Sequence, residues 1–188
     1  MLQHFRYADG FGKDRLSVGE WVSIEDNLPT LSILDYKFGF TDRRSLDVIR
    51  LRVETLFQRK QYAQALTNAV ILVERAEKIE KDEWQRHYFL IKGLYYVGMS
   101  SFTMPGHELE TYSKLSRCFE IIQDFYRLQH NFSMFDTEML EVIEVLEELA
   151  IRRLDEESLK IWKGHREKFQ ERLVTIDNTM ELLEELPL

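Results

Sequence analysis

Residues 46–79 read LDVIRLRVETLFQRKQYAQALTNAVILVERAEKI. Leu46, Ile49, Val53, Leu56 and Phe57 recur at gaps of three and four, which puts them on one stripe of a helix. Thr41 or Asp42 can cap that helix, and the pattern predicts its end near Lys60. A second stripe follows at once: Tyr62, Ala65, Leu66, Ala69, Leu72, Val73 and Ala76, ending in the charged run 77–83. Two helices joined by so short a turn fold back on each other as an antiparallel hairpin. Ala65 and Ala69 let the two backbones approach closely, while larger neighbours fill the groove beside them.

Working outward, the same grammar continues towards the C-terminus. A third helix carries Trp84, Tyr88, Phe89, Leu94 and Tyr95 and fades at Ser100 and Ser101. Residues 102–106, with Pro105 and Gly106, break the chain. A fourth helix holds Leu109, Tyr112, Leu115, Phe119, Ile122, Phe125 and Tyr126, and a turn at 131–135 follows. Asp136 is placed to cap a fifth helix with Leu140, Ile143, Leu146, Leu149 and Ala150. After a tight turn at Asp155 or Glu156, a sixth carries Leu159, Trp162, His165, Phe169 and Leu173. A short last helix over 180–185 is expected after Asp177 and Asn178. Residues 1–40 differ: they hold four of the eight glycines, interleaved with Phe5, Tyr7, Phe11, Trp21 and Ile24. They read as an irregular or partly extended arm packed on the body, with room for one short helix. The helical domain then spans 41–188.

The hairpin over 46–79 resembles a tetratricopeptide repeat. Ile49, Val53 and Leu56 match the large, small, large pattern of its first helix, although Val53 is bulkier than the usual small residue. Tyr62, Ala65, Ala69 and Leu72 match the second helix. Phe89, Gly93 and Tyr96 repeat the first-helix pattern, followed by Tyr112, Leu115, Phe119 and Ile122, with Leu115 standing where the family prefers alanine. Val142, Leu146, Leu149, Ser158 and Trp162 give a weaker third copy. The resemblance implies an all-α fold: three antiparallel hairpins stacked as a superhelix, capped by the N-terminal arm and the short C-terminal helix. It also implies a concave face, lined by the first helix of each pair, that binds an extended peptide or a partner helix. The groove-facing residues on this reading are Arg50, Glu54 and Phe57 in the first repeat and Leu90, Leu94 and Val97 in the second. One subfamily clamps a C-terminal carboxylate with Lys and Asn. Arg50 would serve, but Glu54 would repel a carboxylate, and Leu90 and Leu94 offer no donors.

Composition sets the function classes. The 188 residues suit one domain, and 44% apolar residues with 12% aromatics describe a globular chain. A formal charge of −8 disfavours nucleic acid and anionic membranes, although Arg43, Arg44, Arg50 and Arg52 form a local basic cluster. The lone cysteine, Cys118, reads as a buried thiol in a reducing compartment. No stretch has signal-peptide or membrane-span character, so cytosol or nucleus is expected. The five histidines form no H-E-x-x-H and no shared face, and no phosphate loop or nucleophile elbow occurs. Neither a metal nor a cofactor is expected. The functional expectation is therefore an adaptor or scaffold subunit, not an enzyme, whose protein partner offers a basic or apolar segment. A dedicated chaperone for one client is the alternative, and an enzyme with a site invisible in sequence is the third.

Overall fold

The computed structural model describes residues 28–128 and 134–184. Its helices are α1 (Leu28–Phe38), α2 (Arg43–Gln58), α3 (Tyr62–Ala76), α4 (Glu83–Phe102), α5 (Glu108–Leu128), α6 (Asp136–Arg152) and α7 (Glu156–Glu184). No strand occurs among the described residues.

The punctuation is local chemistry. Asp42 caps α2, its carboxylate accepting from the Arg44 amide at 3.0 Å. Lys60 takes φ 61 in the turn into α3, a left-handed conformation that is uncommon for a residue with a side chain and that reverses the chain here. Asp82 caps α4 through the Gln85 amide at 2.8 Å. At Gly106, φ 85 serves the break read from 102–106. Asp155 caps α7, accepting from the Ser158 amide at 3.0 Å and the Ser158 hydroxyl at 2.7 Å.

Two boundaries differ from the sequence reading. Asp136 is the first residue of α6 and not its cap. Its carboxylate instead accepts the Tyr126 hydroxyl at 2.7 Å and the Arg172 guanidinium at 3.4 Å, tying α5, α6 and α7 together. The stretch around 180 is helical as read, but it is the distal part of α7: Asp177 and Asn178 do not interrupt the helix, because an unbroken i→i−4 ladder outweighs two weak helix formers. Of the arm, residues 28–38 form α1; residues 1–27 lie outside the described residues. Gly39, at φ 95, ends α1. Asp35 pins α1 to α3 through a two-pronged pair with Arg75 at 2.7 and 2.9 Å, and Arg44 covers one face of the Phe38 ring at 3.3 Å.

Each helix packs on its successor, giving a stack of hairpins α2–α3, α4–α5 and α6–α7. The core runs through all three, from Leu46, Ile49 and Val53 through Phe89, Ile91, Leu94 and Phe119 to Ile143, Leu146 and Leu149. Small residues set the closest approaches. A Cβ on Gly93 would lie 2.6 Å from Val73 Cγ2 of α3, and one on Gly98 only 2.2 Å from Leu115 Cδ2 of α5. Leu115, the residue that departs from the repeat pattern, is thus accommodated by a glycine on the facing helix.

Candidate functional site

The two helix layers are spaced differently. The backbones of α2 and α4 come within 8 Å of each other, and so do those of α4 and α6. The second helices of the hairpins approach through side chains instead. The Phe119 ring meets Trp162 edge-on at 5.1 Å and His165 at 4.7 Å, and Tyr112 meets Trp162 at 6.3 Å, so aromatic rings wedge α5 and α7 apart. Just past the end of α3, Glu77 pairs with Arg117 of α5 at 2.8 Å through exposed side chains. The side formed by α2, α4 and α6 is thus the more closely packed of the two layers, and we term it the inner face.

That face carries polar groups on apolar helices. On α2, Arg50 donates to Asp47 at 3.2 Å and to Glu54 at 2.8 Å. Asp47 lies 3.6 Å from Arg43 as well. On α4, Lys92 pairs with Glu138 of α6, and one turn further Tyr95 donates its hydroxyl to Glu141. These two rungs cross the seam between the second and third hairpins. The Lys92 ammonium also lies 5.7 Å from the Phe135 ring centroid, within cation–π range. Across the other seam, Phe57 of α2 meets Tyr62 and Tyr96 edge-on, both at 5.3 Å. Burial raises the Tyr95 phenol well above its ordinary value and the Glu141 carboxylate raises it further. Tyr96 is raised in the same way, by burial and then by Glu54. Both are therefore permanent hydrogen-bond donors near neutral pH. Glu141 and Glu144 have no Lys or Arg within ion-pair distance among the described residues, which leaves the α6 side of the face acidic.

Of the six sequence-predicted groove residues, Arg50 is itself buried at 4% exposure and commits its guanidinium to Asp47 and Glu54 of its own helix, so on α2 the carboxylates are what this face presents, and Phe57 lies at the α2–α4 seam. Leu90, Leu94 and Val97 do not form an accessible surface: they are 6%, 0% and 1% exposed. Gly93 faces α3 and Gly98 faces α5. At about 100° per residue, Leu90, Leu94 and Val97 fall on the arc between those two glycines, roughly opposite Lys92. They belong to the core between the hairpin's neighbours. The residues that replace them on the inner face are Lys92, Tyr95 and Tyr96. A lysine in the middle of the apolar run 88–97 was the available signal, since an ammonium flanked by Leu and Ile marks the side that stays wet or finds a carboxylate.

Elsewhere the chemistry is sparse. Among the described residues no group of three or more His, Cys, Asp or Glu could hold a metal ion. Cys118 is buried, its thiol directed at the Ile91 carbonyl at 3.5 Å, and burial pushes its pKa up, away from thiolate reactivity. His87 bonds the Glu83 backbone carbonyl at 2.8 Å and not its carboxylate. A cleft of about 350 Å³ opens at the α4–α5 turn between Phe102, Pro105, Glu108 and Arg152. No described helix is long and apolar enough to cross a membrane.

No protein-family model matches the chain, and neither does any curated protein or solved structure.

Proposed function

We propose that the protein is an interaction subunit of the tetratricopeptide type, an adaptor or scaffold that holds a segment of a partner protein along the inner face of α2, α4 and α6. The observation that carries this reading is the unequal spacing of the two layers: close first-helix backbones on one side and aromatic contacts between α5 and α7 on the other. The repeat pattern over 46–79 and the small residues at the close approaches support it. The partner segment expected there is basic, for Glu141 and Glu144, with apolar side chains for the aromatic seam around Phe57 and Tyr96. Cytosol or nucleus remains the proposed location.

Tagged full-length protein recovered from its own cells, beside a Glu141→Lys/Glu144→Lys variant, tests the proposal. A stoichiometric companion retained by the native chain and lost by the variant is expected, with helical circular dichroism unchanged. A companion held equally by both would move the interaction off this face. Pulse-labelling separates the adaptor from the alternative, a dedicated chaperone. A chaperone would carry only newly made client and release it within the chase.

A further inference from the structure

The outer side of α1 carries a group of large apolar side chains with no use in the proposed groove. Ile33 is 52% exposed and Tyr36 92%, and Phe40, two residues past the end of α1, is 60% exposed although the Arg75 guanidinium lies 5.0 Å from its ring. The inner side of the same helix is fixed to the body by the Asp35–Arg75 pair and by the packing of Leu31 on the core. Taking an aromatic side chain at roughly 200 Å², these three offer about 400 Å² of apolar area. Each partner in a stable dimer buries about 800 Å², so the patch is too small to hold a second copy and suits a short segment. Charge narrows the choice. Between residues 28 and 62 stand seven Lys and Arg against four Asp and Glu, in a chain that is otherwise acidic; Arg43, Arg44 and Arg50 already pair with Asp47, Asp42 and Glu54, and Lys37 is the cation of α1 itself. The segment joined directly to α1, residues 1–27, has the complementary balance, with five Asp and Glu against three Lys and Arg. It also holds Phe5, Tyr7, Phe11, Trp21 and Ile24 as apolar anchors. A tether of this length presents it to α1 at an effective concentration of roughly millimolar, which no separate partner matches.

We infer that the outer face of α1 is a docking site for this chain's own residues 1–27, which cover Ile33 and Tyr36, reach the open edge of Phe40 and set their carboxylates beside Lys37. The segment caps the open end of the stack in cis and leaves the inner face to a partner. The inference concerns a different surface from the groove and does not rest on it.

The test uses the full-length chain with a photo-crosslinking phenylalanine analogue at Tyr36, a position exposed enough to leave the fold intact. A control carries the analogue at Glu144 on the inner face. An equal mixture of ¹⁴N- and ¹⁵N-labelled chains is irradiated, digested and read by mass spectrometry. Crosslinks from position 36 to residues 1–27 in isotopically pure pairs are expected, and Lys37→Glu should lower their yield several-fold. Mixed-isotope crosslinks would mean that a second copy covers the face. Crosslinks to residues 1–27 from position 144 alone would put the segment in the groove. Either result, or no crosslink from position 36, overturns the inference.

Discussion

Substituting Gly98 with alanine tests the packing logic of the stack directly. In an ordinary helix interior the change stabilises, by about 1 kcal/mol, because glycine loses more backbone freedom on folding. Here the added Cβ would meet Leu115 Cδ2 at 2.2 Å and Leu115 Cγ at 2.4 Å. The Cγ contact is decisive: rotating the end of the leucine cannot relieve it, and Leu115 is fully buried with no space to retreat into. Overpacking of this kind costs about 1–3 kcal/mol, and two contacts below 2.5 Å put it at the upper end. The net expectation is a loss of about 2 kcal/mol, or roughly 4–8 °C in melting temperature for a chain of this size. Urea unfolding followed at 222 nm, with the denaturant slope unchanged, provides the assay. Leu115→Ala alone should cost about 2–5 kcal/mol through its cavity. The double variant Gly98→Ala/Leu115→Ala should cost at least about 1 kcal/mol less than the sum, because the methyl added on α4 fills part of what was removed from α5. A Gly98→Ala protein as stable as the parent, or strictly additive costs, would refute the close α4–α5 approach.

Other substitutions probe the remaining seams. Ala65→Leu or Ala69→Leu, at fully buried positions, should each cost about 1–3 kcal/mol by overpacking; unchanged melting temperatures for both would refute the register of α3. Lys92→Met strands the Glu138 carboxylate, which is only 14% exposed, and should cost about 2 kcal/mol. Lys92→Met/Glu138→Leu should recover most of that loss in the same urea assay, and a double variant no better than the single would deny the pair its place on the inner face. The Asp42 carboxylate is held below its ordinary value by its hydrogen bonds and charge contact with Arg44, and that of Asp155 by its bonds from Ser158. A depressed folded-state pKa contributes stability that is present above the unfolded value, near 4, and lost as pH falls through the folded one. Urea midpoints should therefore drop between pH 5 and pH 3, and Asp42→Asn/Asp155→Asn should flatten that slope; a parallel decline would show that other groups set it.

Much of the architecture was legible because helices are local. Periodicity placed the buried faces of α2, α3 and α5, and Ile49, Val53, Ala65, Ala69, Phe119 and Ile122 are all core residues. Short-range capping rules found the role of Asp42, whose partner lies two residues away. Asp155, read as a turn, caps by the same short-range rule, with Ser158 three residues on. Those rules failed at Asp136, whose carboxylate is claimed by tyrosine and arginine side chains from neighbouring helices, and at Asp177 and Asn178, where the helix continues.

The sequence alone determined that the chain is a succession of amphipathic helices in hairpins, since hydrophobic spacing and turn chemistry act within a few residues. It could not orient α4. That helix is apolar around most of its circumference, with Leu90, Leu94 and Val97 on one side and Tyr95 and Tyr96 on another, so its periodicity points nowhere. Only the positions of α3 and α5, fixed through Gly93 and Gly98, turned the leucines into the core and Lys92 towards Glu138, 46 residues away. The inner face is thus a product of tertiary packing: no local rule couples residues so far apart in sequence.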